Sequence, residues 1–338
     1  MRKLLIAASV LAVVGAAWLG MRRYDHPSLA AWDTYVLPAT SSDTGRSVKV
    51  RYYGVSTLIF SDGDNVVIVD GFLTRPGGLL RVLLGADVEP DESKIERVLH
   101  EDRITHADVV VCVHSHYDHS MDAPVVAAKT GAVLLGSLST ANVGRGWGLP
   151  DDRITIAEPG VANRFGKFSV TLIRSRHVPL PFGFAQDTIG QEIESPLVPP
   201  AAAMSYLEGG SYSVLIEHPL GTALVQGSAG WEEGALADYE ADVVFLGIGG
   251  LAGQGPSYQQ TYLDQVVGAS GVSRVIPIHY DDFTYDLDNE MVALPRLVDD
   301  IPTALETVFT DAQSRDLEFA LLPIRKDVVI FEDRASAR

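Results

Sequence analysis

From Val48 onward, apolar residues come in short bursts separated by polar turns. The runs "VKVRYYG", "STLIFSDG" and "NVVIVDG" are rich in Val, Ile and Tyr and broken by Gly and Asp, which predicts three strands in quick succession. The period changes in "DESKIERVLHEDRI" (91–104), where Ile95, Val98 and Leu99 fall on one helical face behind an Asp cap. "HADVVVCVHSH" then predicts a strand, and "DAPVVAAKTG" a helix with Asp122 as N-cap and Gly131 as C-cap. Further strands are expected at 132–137, 153–160, 168–177, 242–250 and 273–280. The stretch 211–230 reads as a hairpin turning at 219–221. Helices are expected around 139–144, over 257–270 and over 296–312, with 318–324 as the last strand. Strands interleaved with helices predict an α/β (α+β) domain over 47–332, followed by a short tail at 333–338.

The beginning of the chain has a different pattern. Met1-Arg2-Lys3 precedes an uncharged apolar run from Leu4 to Met21. Such a run is long enough for a membrane anchor, and its Gly15-Ala16-Ala17 also suits cleavage as a signal. Both readings place residues 1–23 in an export or anchoring segment and the remainder outside the cytoplasm, in the periplasm or an equivalent space. Residues 24–46, rich in Ser, Pro, Asp and Thr, read as a linker or irregular arm.

Composition narrows the chemistry. A net charge of −18 opposes nucleic acid as a main partner, because phosphate neutralisation needs clustered Lys and Arg. The only cysteine, Cys112, excludes an intrachain disulfide and a cysteine-based zinc site, and its apolar neighbours predict burial.

Against this background "VHSHYDHSMD" (113–122) concentrates three of the nine histidines. Residues two apart in extended backbone point the same way, so His114 and His116 can reach one ion, while Asp118 and His119 beyond the turn can serve a second. Imidazole and carboxylate together suit Zn²⁺, with Mn²⁺ or Fe also compatible. In order along the chain follow Asp70 in "NVVIVDGF", the "HSHYDH" cluster, His177 in "LIRSRH", and His279 in "VIPIHYDD". This ordered series resembles the metallo-β-lactamase superfamily of metal-dependent hydrolases, over about residues 48–331.

The resemblance implies a four-layer αβ/βα sandwich with one or two metals at one edge. It implies His114, His116 and His177 at the first metal, and Asp118, His119 and His279 at the second. Asp118 would also orient the attacking hydroxide or shuttle protons, and Asp70 would hold the histidine loop from behind. Where the family has Gly-Asp, with the aspartate bridging both metals, this chain reads Gly227-Ser228. One fewer carboxylate predicts a weaker second ion, or a substitute from Asp281, Asp282, Glu232 or Glu233.

Arg75 in "GFLTRPGG" and Tyr280 beside the last ligand are candidates for substrate contact; Arg174 and Arg176 carry less weight. His26, His100, His106 and His218 fit no position of the series and read as surface or capping groups. The Pro-rich stretch 178–200 reads as a lid or substrate wall, in which Phe182 and Phe184 would meet acyl chains or the bilayer. The expected activity is hydrolysis of an ester, lactone, amide or phosphoester of a small molecule or lipid, by water activated on the metal. The "YYGVSTLIF" opening looks closer to the lactonase and phospholipase-D-like branch than to antibiotic-degrading enzymes. Two other functions stay open: an envelope-associated binding or scaffold protein with a weakened site, and an iron-dependent redox enzyme on the same ligands.

Overall fold

Valines on neighbouring strands face opposite sides in strict alternation. Val67, Val69, Val109 and Val111 turn into the largest core cluster, whereas Val66, Ile68, Val110 and Cys112 turn the other way into a second. Strands buried on both faces need cover on both, which dictates stacked layers. The computed structural model describes residues 25–40, 46–78, 81–82, 84–180 and 183–333.

The first half of the chain contributes β1 (Ser47–Tyr52), β2 (Leu58–Ser61), β3 (Val66–Val69), β4 (Asp87–Val88), β5 (Val109–Val111), β6 (Val133–Gly136), β7 (Ile154–Ile156) and β8 (Ala162–Phe165). The second half adds β9 (Phe168–Ser175), β10 (Ala201–Ala202), β11 (Ser211–His218), β12 (Gly221–Gln226), β13 (Val243–Gly247), β14 (Arg274–Ile278), β15 (Glu318–Phe319) and β16 (Asp327–Glu332). Helices are α1 (Glu92–Glu101), α2 (Tyr117–Ser120), α3 (Ala123–Thr130), α4 (Leu138–Trp147), α5 (Gly183–Gln186), α6 (Pro256–Leu263) and α7 (Ile301–Ser314).

One sheet has the order β16-β1-β2-β3-β5-β6-β7, the other β15-β14-β13-β12-β11-β9-β8, and β4 with β10 forms a separate ribbon. The pairs β3–β5, β5–β6, β12–β13 and β13–β14 are parallel, so their carboxyl ends share one edge within each sheet. The main cluster joins the facing sides of both sheets and also takes in Tyr262, Leu263, Ile301, Leu305 and Val308 from α6 and α7. On the far side of the first sheet, α1 and α3 bury Ile95, Val98, Leu99, Val125 and Val126. The layers therefore read helix, sheet, sheet, helix.

Local chemistry accounts for most boundaries. Asp91 caps α1 by accepting from Lys94 N at 2.9 Å, and Gly131 ends α3 in the left-handed region at φ 81°. Asp122 does not cap α3 as expected. Its carboxylate instead accepts from Leu73 N, Thr74 N and Thr74 Oγ1 at 2.6–2.7 Å. The last helix begins at Ile301 rather than 296, because Pro302 fits only a first turn. The terminal strand is β16, antiparallel to β1, and β8 is a further strand the hydrophobic pattern did not disclose.

The segment expected as a linker lies against the domain where it is described. Trp32 is buried, with its ring 5.6 Å from Phe309 and 5.5 Å from Phe319. Among the described residues no helix is long and apolar enough to cross a membrane. The apolar run 4–21, Phe182 and the side chain of Phe184 lie outside the described residues.

Asp299, just ahead of α7, accepts from Gly250 N at 2.6 Å, and burial pushes its carboxyl up to about 6 from 3.8. The folded chain therefore holds a proton that the unfolded chain releases between roughly pH 4 and 6, and this group's contribution to stability falls as pH rises through that window. Asparagine keeps an oxygen for Gly250 N and has no charge to bury. Asp299→Asn is expected to stabilise the protein by about 1–3 kcal/mol near pH 8 and hardly at all near pH 4. Thermal unfolding across that range checks this; an equal gain at both ends would rule out the proton as its source.

Candidate metal centre

The chemistry-bearing residues follow strand ends. Asp70 comes directly after β3, the 114–119 loop and α2 follow β5, His177 follows β9, Ser228 follows β12, and His279 follows β14. The first sheet thus delivers Asp70, His114, His116, Asp118 and His119, and the second delivers His177, Ser228 and His279.

Two groups of ligand atoms converge, His114 with His116 and His177, and Asp118 with His119 and His279, each group lying within 4.8 Å. In the first, the three ring centroids are 4.8–4.9 Å apart. In the second, Asp118 Oδ2 stands 3.6 Å from both His119 Nε2 and His279 Nε2. The groups adjoin, with the His114 and His119 ring centroids 3.9 Å apart.

Hydrogen bonds behind the rings fix which nitrogen each presents. His119 Nδ1 donates to Asp70 Oδ2 at 2.8 Å, leaving Nε2 as a lone pair beside Asp118. His177 Nδ1 lies 2.8 Å from the Val178 carbonyl, which only accepts, so its Nε2 is free. Thr188 spends its hydroxyl proton on Ala185 O at 2.7 Å, so it accepts from His116 Nε2 at 2.9 Å and leaves Nδ1 free. His114 is buried with neither ring nitrogen bonded to protein, and His279 Nδ1 is likewise unpartnered. Such orphaned buried nitrogens are costly unless something else satisfies them, and a divalent ion does so for one nitrogen of His114. The residues present fit a metal.

Electrostatics favour the ligating form in the first group and at Asp118, and oppose it at His119, whose second proton an ion would have to displace. Burial, reinforced by neighbouring imidazoles, holds His114 and His116 well below the usual histidine range, and burial also lowers His177. Neutral imidazole is the ligating form. Burial opposes ionisation of Asp118, but His119 and His279 overcome it and hold the carboxyl below its ordinary range. For His119 burial is outweighed by Asp118 and Asp70, which raise it.

Asp70 is fully buried, and its second anchor is Val113 N at 2.9 Å on Oδ1. Ser56 Oγ adds a bond to Asp70 Oδ2 at 2.5 Å. Ser228 accepts from Val178 N at 3.0 Å, next to His177. Among the described residues none of the four expected substitute acids joins either group. Asp281 is buried against Arg75, Asp282 accepts from Thr284 N and Oγ1, Glu232 pairs with Arg176, and Glu233 is exposed.

Two residues expected to touch substrate are turned inward. Arg75 is 5% exposed, with its guanidinium 2.6 Å from Asp281, and Tyr280 is 2% exposed in the main core against Tyr52. His26 is not a plain surface group either: its Nδ1 bonds Ala293 O at 2.7 Å and its ring meets Tyr285 edge-on. Residues the sequence did not single out hold the site together. Glu208 accepts from Gly190 N and Ser211 Oγ, its amide donates to Thr188 O, and its carbonyl accepts from Ser115 N. It thereby ties the 188–191 turn to the histidine loop. A single Thr or Glu in a long irregular stretch has no spacing signature to find it by.

Comparison with known proteins points the same way. No family model matches the sequence. A UPF0173 metal-dependent hydrolase from Christiangramia forsetii is 33% identical over 95 residues, covering 28% of this chain and 34% of that protein, so the match spans about a third of that relative. Another protein so named, from Exiguobacterium sp., is 24% identical over 252 residues, covering 70% of this chain and 87% of its own. Among solved structures, CmlA, a diiron beta-hydroxylase from Streptomyces venezuelae, superposes with a TM-score of 0.50 at 13% identity, over 84% of this chain and 54% of CmlA. That likeness concerns the fold alone. With its four layers and its ordered histidines and aspartates the chain has a metallo-β-lactamase-type fold, and in sequence it is similar to UPF0173 metal-dependent hydrolases.

Proposed function

We propose that the protein hydrolyses an ester, lactone or phosphoester of a small molecule or lipid, with one or two zinc ions held by His114, His116 and His177 and by Asp118, His119 and His279. The observation that carries this reading is the set of nitrogens freed toward the two ligand groups by Asp70, Val178 and Thr188. A divalent ion bound there supplies Lewis acidity and lowers the pKa of a water toward neutrality. Asp118 is the one carboxylate among the six; kept ionised, it accepts a hydrogen bond from the attacking water and so orients it. His114, His116 and His177 stay neutral and hold their positions. Anchoring through residues 4–21 and an extracytoplasmic location are part of the proposal; they rest on the apolar pattern of that run.

Purified protein screened on ester, lactone and phosphodiester substrates is expected to lose turnover with a chelator and regain it with zinc. His116→Ala is expected to fall to the uncatalysed background. Full turnover in that variant would sink the reading, and iron with a coloured product would replace it with redox chemistry.

A further inference from the structure

We infer that Arg75 and Asp281 form a buried clamp that positions His279 for the second metal, an inference that rests on the metal-site reading above. The pair is deeply enclosed: the Arg75 and Asp281 side chains are 3% and 0% exposed, with Nη1 to Oδ2 at 2.6 Å. Each end reaches backbone on a different segment. Arg75 Nη2 donates to Tyr53 O at 2.5 Å and Nη1 to Asp282 O at 3.3 Å. Asp281 Oδ1 accepts from Val55 N at 2.7 Å and Tyr52 Oη at 3.4 Å. Val55 O in turn accepts from His279 N at 2.8 Å, and Tyr52 Oη accepts from the same amide at 3.1 Å.

The backbone along this route is strained. Val55, Arg75 and His279 have φ of 50°, 52° and 59°, the left-handed region that non-glycine residues avoid, and a β-branched residue most of all. Such conformations persist only where surrounding bonds impose them. Here the imposing bonds run from the guanidinium through Asp281 and Val55 to the His279 amide, and His279 Nε2 ends 3.6 Å from Asp118. Arg75 and Asp281 act through another residue and touch no reacting atom, so they are positioning residues. Their route reaches the second ligand group through His279 and does not pass through His114, His116 or His177.

The test separates positioning from mere structure by the two ions' relative affinities. Wild type and Arg75→Met/Asp281→Asn, which removes both charges and strands neither, are stripped of metal and titrated with Zn²⁺ against a chromophoric chelator. Circular dichroism and thermal unfolding report the fold, and Co²⁺ absorption reports ligand geometry. The expected result is a folded double variant whose tighter zinc is unchanged, whose weaker zinc is lost about 10–100-fold, and whose second cobalt band is altered. A folded double variant with both affinities as in wild type overturns the clamp. Equal weakening of both ions, the mark of a general structural role, overturns it too. If the double variant does not fold, Arg75→Lys decides by the same ratio, since lysine keeps the charge but not the fork to Tyr53 and Asp282. Wild type that binds no zinc at all would instead overturn the metal-site reading.

Discussion

Asp70→Ala is expected to cost about 3–5 kcal/mol of folding stability and to weaken zinc binding about 10–100-fold. The carboxylate is fully buried, and three donors end on it: Val113 N at 2.9 Å, Ser56 Oγ at 2.5 Å and His119 Nδ1 at 2.8 Å. Alanine leaves Val113 N unsatisfied away from water and leaves Ser56 Oγ and His119 Nδ1 only each other, 3.0 Å apart, which accounts for the stability loss. It also frees the His119 ring to turn or to carry its proton on Nε2, which accounts for the metal loss. Denaturant unfolding and zinc competition measure the two effects separately. Unfolding weakened with zinc affinity untouched would detach Asp70 from the ion site.

The second large effect is expected at Gly54, whose φ of 88° already favours glycine. A β-carbon there would overlap Arg75 Nη2 and Asp281 Oδ2. Gly54→Ala therefore combines left-handed strain with overpacking against a buried ion pair, together about 2–5 kcal/mol. Chemical unfolding is the measurement. A loss under about 1 kcal/mol would mean that the pair moves aside at little cost.

Both predictions concern residues of unequal visibility. Asp70 was legible because it closes an apolar strand at the right distance before "HSHYDH". The core was legible for a related reason: period-two valines and the one-sided face of α1 state their burial directly. The role of Arg75 was not. Its place in the chain puts it near the metal edge, but which way it turns depends on Asp281, far along the sequence. The left-handed turns at Val55 and His279 were equally hidden, since neither residue is a glycine. Thr188 left no trace because one hydroxyl in a Pro-rich stretch matches no period. The final strand was misplaced for a local reason. Apolar "FALLPI" looks like a longer strand than β15, yet Pro323 lacks an amide to donate, and the chain crosses to the first sheet instead.

The division of ligands between the sheets bears on how the molecule comes apart. Each ligand group takes two side chains from the first sheet and one from the second. An ion in either group is thus a rivet through the seam between halves that each have their own strands. Binding that requires both halves in register stabilises only the assembled sandwich, by an amount that grows with the logarithm of free ion concentration. A chain holding both ions should therefore come apart along that seam last, and stripping the metal should loosen the seam before it loosens either sheet.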